Sequence, residues 1–454
     1  MINVKIDSRK VEKGDIFVAI KGHTVDGHDF IDVAIKNGAS KIVCEKNIEC
    51  DVETLVVEDT SKWLVDYVVS NYSSKVNEMN IVGVTGTNGK TTTCFLTYEL
   101  LNEMGIKTAY IGTIGFYLPG QNPVELPNTT PNILDLYELL LSAKEEGCKT
   151  IVMEVSSHAL CQDRVKGLVF KTVAFTNLTE DHLDYHKTME EYLKAKLLIL
   201  KQTSGTLIAN SDDDTFGRWR ELYENVLSYG YNGDLKIIDF DDTSVGMDIN
   251  IEYQGNKYKA VTKLKSQFNV YNFLACLGIC LSLDIDINAA FKNAEKILPP
   301  RGRCEQIDVN GGYAVIDYAH TPDAVLKIIS AFNQKKKGKI ITIIGCGGDR
   351  DKLKRPIMGD IATKNSDYVI FTSDNPRTEK PEDILNDIVC NLEKDNFEIE
   401  IDRRMAIVKG LEMVQENDYL LILGKGHEDY QIIGHEKTHL DDKEEVLKYL
   451  SSFK

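Results

Sequence analysis

The chain has 454 residues, 43% of them apolar and 27% charged, and a formal net charge of −17. Two to four domains fit this length, and so negative a charge argues against a general nucleic-acid binder. Apolar runs long enough for a membrane span or a signal peptide are missing, so we expect a cytoplasmic protein. Its ten cysteines are scattered without C-x-x-C pairs, and disulfides are unlikely in that compartment.

The first 79 residues have the pattern of a small α/β unit. Its predicted strands are 14–20, 41–44 and 54–57, and residues 30–37 have a helical pattern. A second helix is predicted to begin at Ser61, with Ser61 as its N-cap. We therefore expect a first domain at residues 1–79.

A glycine-rich turn follows the next apolar strand, at Gly86-Thr-Asn-Gly-Lys-Thr91. Backbone N–H groups in such a turn, with a helix start behind them (residues 94–104 are the predicted helix), hold phosphate oxygens. Lys90 would add a point charge and Thr91 a hydroxyl for Mg²⁺. Val84 stands where the longer form of the pattern has a glycine, and an ordinary loop is the alternative. The strand before the turn favours ATP–Mg²⁺ binding here.

Strands and helices alternate through the rest of the chain, which favours parallel sheets covered on both faces. The predicted strands are 81–84, 150–153, 172–176 and 206–209, then 313–316, 339–344, 368–371 and 419–423. Residues 234–262 are predicted to be β-rich and less regular, and residues 267–281 to form a buried helix. The fold class is thus α/β, with a central ATP-binding parallel-sheet domain at 80–300 and a Rossmann-like domain at 301–454.

Three polar features follow the strands of the central domain. Glu154 stands at a strand end and suits Mg²⁺, although a helix-capping role is equally open. The stretch Asn177–His186 holds two histidines and three acids, which indicates either a second metal position or a polar loop with Asp181 as N-cap. Lys196 lies among apolar residues, so it either extends its amine to solvent or has a lowered pKa and reacts with CO₂.

Three more clusters follow strands of the last domain: Gly345–Arg350, Asp374-Asn-Pro-Arg377 and Gly424–Asp429. Each alone could be a turn. Because the carboxyl ends of parallel strands share one edge of a sheet, the three clusters together predict one pocket. An Arg in that pocket suits a carboxylate ligand.

Several of these motifs together closely resemble the Mur ligase family, over nearly the whole chain. They are the phosphate-loop turn, Glu154–Leu160, Asn177–His182, Phe268–Asn272 and Asp317–Pro322. Asp7–Arg9, Asn128–Pro131, Gly347–Arg350 and Gly424–Glu428 resemble the MurE type of that family. Asp374-Asn-Pro-Arg377 is similar to the form that selects meso-diaminopimelate.

The resemblance implies a role for each matching residue. Metal ligands would be Thr91, Glu154, His182 and a carbamylated Lys196, and with Lys90 the last three would be catalytic. Nucleotide contacts would be Gly86, Thr87, Asn88, Gly89, Lys90, Thr91, Thr92, Asn269, Arg303, Asp317 and His320. The UDP-substrate would meet Ser8, His23, Thr24, Val25, Asn128, Thr129, Thr130, Ser157, Gln162 and Arg164. The incoming amino acid would meet Arg355, Asp374, Asn375, Pro376, Arg377, Gly424 and Glu428.

The implied reaction is ATP-dependent addition of meso-diaminopimelate to UDP-N-acetylmuramoyl-L-alanyl-D-glutamate, through an acyl phosphate, in peptidoglycan synthesis. ATP and Mg²⁺ are the expected cofactors, and the UDP-dipeptide and the amino acid are the expected partners of a monomer. One alternative is a Mur-like ligase that joins another amino acid, such as L-lysine, or acts in another pathway. The other is a nucleotide-binding paralogue without catalysis.

Overall fold

The first sheet has four parallel strands in the order β1-β2-β3-β4. The computed structural model describes residues 2–22, 25–243 and 246–452. Two helices accompany this sheet, α1 (Ile31–Lys36) and α2 (Thr60–Val76). The strands are β1 (Val4–Lys5), β2 (Ile16–Val18), β3 (Lys41–Cys44) and β4 (Glu53–Val56).

The predicted start of α2 is one residue late, and its predicted cap is two residues late. The helix begins at Thr60, and the side chain of Asp59 accepts a hydrogen bond from the Lys62 N–H at 2.9 Å. Ser61 is already inside the first turn. A carboxylate at the N-cap satisfies a free N–H group and also faces the positive end of the helix dipole.

The second sheet has ten strands and carries the phosphate loop near its middle. Its order is β14-β13-β12-β11-β10-β9-β5-β8-β6-β7, and the central strands are parallel. The strands are β5 (Asn80–Thr85), β6 (Thr108–Gly112), β7 (Gly115–Tyr117), β8 (Thr150–Glu154), β9 (Phe170–Phe175), β10 (Thr203–Asn210), β11 (Val226–Gly230), β12 (Leu235–Asp242), β13 (Met247–Tyr253) and β14 (Asn256–Thr262). The stretch expected to be less regular is instead an ordered antiparallel extension, β12 to β14.

Helices cover both faces of this sheet, and β5 is buried on both sides. Ile81 packs into one apolar cluster, whereas Val82 and Val84 pack into the other. The helices are α3 (Lys90–Glu103), α4 (Ile133–Glu145), α5 (Ser157–Cys161), α6 (Leu183–His186), α7 (Met189–Leu197), α8 (Phe216–Leu222), α9 (Gln267–Ser282) and α10 (Ile287–Asn293). The buried helix α9 confirms the expectation for residues 267–281, and α3 begins four residues before its predicted start.

The third sheet has six strands in the order β15-β16-β20-β17-β18-β19, all parallel except the β15–β16 pair. Its strands are β15 (Glu305–Val309), β16 (Gly312–Asp317), β17 (Ile340–Ile344), β18 (Tyr368–Phe371), β19 (Phe397–Ile399) and β20 (Tyr419–Leu423). Around it lie α11 (Pro322–Asn333), α12 (Lys354–Asn365), α13 (Pro381–Val389), α14 (Arg403–Met413) and α15 (Asp442–Ser451). A separate hairpin is formed by β21 (Tyr430–Ile433) and β22 (Glu436–His439).

The α/β fold class is confirmed. The three sheets occupy residues 4–56, 80–262 and 305–423, and the domain limits at residues 79 and 300 remain a prediction. Across the described ranges, none of the helices has both the length and the apolar character needed to cross a bilayer.

Candidate functional site

The carboxyl ends of strands in the second and third sheets face one cleft of about 1310 Å³. Nineteen of the predicted residues line it. The first, second and third units are the parts of the chain that hold the first, second and third sheets. The lining residues from the second unit are Thr87, Asn88, Gly89, Lys90, Thr91, Thr92, Asn128, Thr129, Glu154, His182 and Asn269. Those from beyond residue 300 are Arg303, Asp317, His320, Asp374, Asn375, Arg377, Gly424 and Glu428.

The phosphate loop turns sharply between β5 and α3. Gly89 is the N-cap of α3 and has φ of +85°. A Cβ on Gly89 would lie 2.3 Å from Asn272 Oδ1 on α9. Only glycine fits both demands. Lys90 Nζ donates to the carbonyls of Gly86, at 3.0 Å, and Thr87, at 2.8 Å. Burial lowers the pKa of the Lys90 amine, and a phosphate facing the loop would offset that cost.

Glu154 stands at the end of β8, fully buried, beside the first turn of α3. Its Oε2 accepts hydrogen bonds from the hydroxyls of Thr91, at 3.0 Å, and Thr113, at 3.1 Å. Its Oε1 accepts from the Tyr110 hydroxyl at 2.6 Å and from the Thr113 N–H at 2.9 Å. A carboxylate beside two hydroxyls is an oxygen donor set that suits Mg²⁺.

His182 and Lys196 lie on the other side of the phosphate loop. Lys196 is buried, and its Nζ donates to the Gly86 carbonyl at 2.8 Å, 4.3 Å from the centre of the Tyr192 ring. Burial, with the nearby Lys90 charge, holds its pKa well below the usual range. The His182 ring is 6.2 Å from Tyr192, and burial lowers the pKa of His182 to about 4, so its imidazole is neutral at pH 7.

These groups are not a ready-made metal centre. In residues 2–22, 25–243 and 246–452, no three His, Cys, Asp or Glu side chains converge closely enough to hold a metal ion. Thr91 and Glu154 are in contact, whereas His182 and Lys196 offer a neutral imidazole and an amine. A second cation on that side would need a further anionic ligand, such as a carbamate on Lys196.

The third unit contacts the phosphate loop directly. Arg303 Nη2 donates to the Thr91 hydroxyl at 3.0 Å, and its guanidinium lies 4.5 Å from the centre of the Tyr318 ring. Asn88 Nδ2 donates to Asp323 Oδ2 at 2.9 Å. Charged and amide groups from the two units therefore meet where the outer phosphates of a nucleotide would lie.

Asp317 and His320 lie behind that contact, at the end of β16. The Asp317 carboxylate accepts from the N–H groups of Cys304, at 2.7 Å, and Ala319, at 2.8 Å, while burial raises its pKa. Burial lowers the pKa of His320 to about 4, and its Nδ1 is 2.8 Å from the Tyr318 carbonyl. Because a carbonyl oxygen can only accept, this contact identifies Nδ1 as the protonated nitrogen of the neutral His320 ring.

The loop after β18 forms a pocket with the loop after β20. Asn375 Nδ2 donates to Glu428 Oε2 at 2.8 Å, and burial, with the nearby Asp374 charge, raises the pKa of Glu428. Arg377 has φ of +50°, and its N–H bonds to the carbonyl of Ile432 on β21 at 3.0 Å. Its Nη1 donates to the Gly348 carbonyl at 2.8 Å. The pocket thus offers two acids and a guanidinium, which suits a zwitterionic ligand.

The placement of Arg355 in this pocket is wrong. Its side chain is fully buried and lies outside the cleft, paired with Glu379 at 2.7 Å and with Asp387 at 2.8 Å. These bonds occupy both terminal nitrogens, so Arg355 ties α12 to α13. Arg350 lines the cleft instead. The Gly345–Arg350 turn had already marked that position as the end of a strand.

The other predicted residues that the structure describes lie outside the lining of the cleft. Gly86 and Pro376 are neighbours in sequence of residues that line the cleft. Ser157 is buried, and its Oγ lies 2.8 Å from His186 Nε2. Arg164 bonds to the carbonyl of Thr130, at 2.8 Å, and to Gln162. Ser8 and Val25 belong to the first unit, and His23 and Thr24 fall outside the described residues.

Sequence reasoning also missed Thr113, which lines the cleft and bonds to both oxygens of Glu154. The signal was present, because Thr113 follows strand β6 in a glycine turn, Gly112 to Gly115. That strand was not among the predicted ones, so its carboxyl end was not considered.

The fold and the cleft define a multidomain α/β protein with a nucleotide-type phosphate loop. Three family models match consecutive parts of the chain: "Mur ligase family, catalytic domain" at residues 2–88, "Mur ligase middle domain" at 84–280 and "Mur ligase, glutamate ligase domain" at 302–426. The chain belongs to the Mur ligase family.

Curated relatives match over nearly the full length. The UDP-N-acetylmuramoyl-L-alanyl-D-glutamate–2,6-diaminopimelate ligase 1 of Clostridium acetobutylicum is 40% identical, over 99% of this chain and 94% of that protein. The UDP-N-acetylmuramoyl-L-alanyl-D-glutamate–2,6-diaminopimelate ligase of Aquifex aeolicus is 41% identical, over 98% of this chain and 93% of that protein.

Solved structures agree with this. One UDP-N-acetylmuramoyl-L-alanyl-D-glutamate–2,6-diaminopimelate ligase is 31% identical, with a TM-score of 0.68 over 100% of this chain and 95% of that chain. The MurF ligase of Thermotoga maritima, solved in complex with ADP, has a TM-score of 0.72 over 99% and 97%. At 20% identity, the second likeness shows the fold alone.

Proposed function

We propose that this chain is an ATP-dependent ligase that forms an amide between meso-diaminopimelate and UDP-N-acetylmuramoyl-L-alanyl-D-glutamate. The observation that carries the proposal is that the phosphate loop and the Asp374–Arg377 pocket open into one cleft. Relatives that match this chain over nearly its full length are named for the same reaction. The cytoplasm, where the nucleotide-linked precursor would be made, fits this proposal.

In this proposal, ATP binds with its phosphates on the loop from Gly86 to Thr92. Lys90 and Arg303 face the outer phosphates, and Asn269, Asp317 and His320 hold the rest of the nucleotide. Cations fixed around a transferring phosphoryl group stabilise the charge that develops on it. The γ-phosphorus is then attacked by a carboxylate oxygen of the D-glutamate residue, which releases ADP and leaves an acyl phosphate.

The amine of diaminopimelate then attacks the acyl carbon, phosphate leaves, and the nitrogen loses a proton. Asp374, Asn375 and Glu428 would hold the ammonium and carboxylate groups near the reacting amine, and Arg377 with Arg350 would hold the distal carboxylate. Closing the cleft excludes water, which would otherwise hydrolyse the acyl phosphate. Asn128 and Thr129 line the side from which the UDP-dipeptide would arrive.

The donor set fits Mg²⁺, which would neutralise phosphate charge when bound. Thr91 and Glu154 would hold a first ion. His182 and a carbamylated Lys196 would hold a second. Burial lowers the pKa of Lys196 and so favours the neutral amine, which is the form that reacts with CO₂. Carbamylation then turns a buried amine into an anion beside a cation.

The test supplies purified protein with ATP, Mg²⁺, the UDP-dipeptide and one amino acid at a time from a panel that includes meso-diaminopimelate and L-lysine. We expect phosphate release and a UDP-tripeptide mass with diaminopimelate. Release with lysine alone would indicate the other amino-acid specificity. ATP binding without phosphate release for every amino acid would overturn the proposal in favour of a non-catalytic paralogue.

A further inference from the structure

The two oxygens of Glu154 have different surroundings. Oε1 accepts hydrogen bonds from Tyr110 and from a backbone N–H, whereas the donors to Oε2 among the described residues are the hydroxyls of Thr91 and Thr113. A threonine hydroxyl can rotate and turn its lone pair toward a cation. A backbone N–H cannot do so, and it remains a donor whatever binds nearby.

The Tyr110 side chain is held in place by a buried aromatic cluster. It lies on β6 and is fully buried, with its ring 5.9 Å from Phe95, 6.4 Å from Tyr98 and 5.6 Å from Tyr117, in edge-on geometry. The Tyr110 hydroxyl is the donor in its bond to Glu154 Oε1, because a carboxylate oxygen only accepts.

The chain also leaves room for this contact. A Cβ on Gly112 would lie 2.3 Å from Glu154 Oε1 and 2.3 Å from the Tyr110 hydroxyl. Any larger residue at position 112 would have to separate the two groups. The short Tyr110–Glu154 bond of 2.6 Å therefore depends on glycine at that point of the strand end.

We infer that Tyr110 is a positioning residue that reserves Glu154 Oε1 and makes Glu154 a one-oxygen ligand for a divalent cation. Mg²⁺ commonly binds one oxygen of a carboxylate, in a small octahedral shell, whereas Ca²⁺ often takes both oxygens in a larger one. The Tyr110 hydroxyl thereby favours Mg²⁺ over Ca²⁺. This inference rests on the proposed function, in which Glu154 is a metal ligand.

The test measures metal binding without turnover. The full chain is saturated with a non-hydrolysable ATP analogue, bound Mn²⁺ is followed by electron paramagnetic resonance, and Mg²⁺ and Ca²⁺ are used to displace it. We expect Tyr110→Phe to weaken Mn²⁺ binding about tenfold, as loss of a ligand's hydrogen-bond partner typically does. The variant should also shift the displacement order toward Ca²⁺.

Tyr98→Phe is the matched control, because it removes a hydroxyl from the same aromatic cluster away from Glu154. Thermal unfolding in EDTA checks that the variants are folded. Mn²⁺ affinity and displacement order that are the same in Tyr110→Phe as in Tyr98→Phe would overturn the inference. The inference would also be overturned if Ca²⁺ displaced Mn²⁺ from the wild-type protein as readily as Mg²⁺ does.

Glu154→Gln separates failure of this inference from failure of the proposed metal site. Weaker Mn²⁺ binding in Glu154→Gln with unchanged binding in Tyr110→Phe would overturn the role of Tyr110 alone. Equal binding in wild type and Glu154→Gln would overturn both, because Glu154 would then hold no metal.

Discussion

Arg377 combines an unusual backbone conformation with a guanidinium that lines the cleft. Its φ is +50°, and its backbone is held on both sides, because the Arg377 N–H donates to the Ile432 carbonyl on β21 and the N–H of Gly434, just after β21, donates to the Arg377 carbonyl. Such conformations cost energy and persist where the surroundings enforce them. We take this as the means by which the loop aims one side chain at a ligand.

Arg377→Ala should raise the KM for diaminopimelate and leave ATP binding unchanged. Removing one partner of a buried charge pair typically costs about 2–5 kcal/mol. The measurement is steady-state phosphate release with the amino acid varied, and calorimetry for the nucleotide. Arg218→Ala, an exposed arginine on α8, is the control. A KM for diaminopimelate that is unchanged in Arg377→Ala would refute the assignment.

Lys196→Ala should lose activity that added short carboxylates restore in part. Loss of a group from a metal's surroundings typically costs about 10–100-fold, and formate or acetate can supply the missing anion. Lys194→Ala, on the exposed side of the same helix α7, should keep full activity. Absence of rescue, with an intact-protein mass that shows no labile CO₂ adduct in bicarbonate, would argue against carbamylation.

At this scale, the sequence located residues at the ends of strands and misjudged those whose partners are distant in the chain. Lys90, Glu154 and Arg377 follow apolar strands, and that pattern brings each of them to the carboxyl edge of its own sheet. Arg355 was misplaced because Glu379 and Asp387, which bury it, are 24 and 32 residues away. Tyr110 was missed because nothing local marks its contact with Glu154, 44 residues on.

Among the elements, α2 depends on a carboxylate cap that precedes it. Asp59→Ala should lower the free energy of unfolding by about 1 kcal/mol, because an N–H of the first turn loses its partner. Chemical denaturation followed by circular dichroism measures this. Ser61→Ala should change it by less than about 0.5 kcal/mol, as surface substitutions usually do. The reverse order would restore Ser61 as the cap.

The Arg355–Glu379 pair links α12 to the segment before α13 and makes part of the stability pH-dependent. The hydrogen bond from Arg355 holds the pKa of the Glu379 carboxyl well below its ordinary value of 4.5. A carboxyl with a lowered folded-state pKa stabilises the fold above its unfolded pKa, and that contribution is lost as the pH falls toward the folded value.

Glu379→Gln should therefore be less stable than wild type by a constant amount above about pH 5.5, with the difference shrinking below about pH 4.5. Urea unfolding across pH 3–7 measures it, and Glu412→Gln on the exposed side of α14 is the control. A difference that stays constant down to pH 3 would show that Glu379 gains no stability from its charge.

Most strands and helices were predictable because apolar runs, glycine turns and polar caps are local signals. The β12–β14 extension was judged less regular because its strands have one exposed face, which breaks the continuous apolar run of a buried parallel strand. The hairpin β21–β22 was not predicted, since β22 is exposed along its whole length.

For the whole molecule, the central feature is that two sheets share a cleft. Arg303–Thr91 and Asn88–Asp323 join the third unit to the phosphate loop, and Lys437 on β22 reaches Glu125 of the second unit at 3.5 Å. The sequence predicted the separate units, whereas their approach depends on contacts between residues that are 212 to 312 positions apart.

 Arg303 and Thr91 are 212 residues apart, and Asn88 and Asp323 are 235 residues apart. Local sequence patterns therefore could not predict these contacts.

In the proposed reaction, a carboxylate activated on the phosphate loop is captured by an amine held in the Asp374–Arg377 pocket; this is our central claim. The most direct test uses a UDP-dipeptide with ¹⁸O in the D-glutamate carboxylate that would be activated, together with ATP and meso-diaminopimelate, and analyses the released phosphate by mass spectrometry. We predict one ¹⁸O atom in each phosphate formed, because the acyl phosphate transfers a carboxylate oxygen to phosphorus. Amide product accompanied by unlabelled phosphate would contradict the claim.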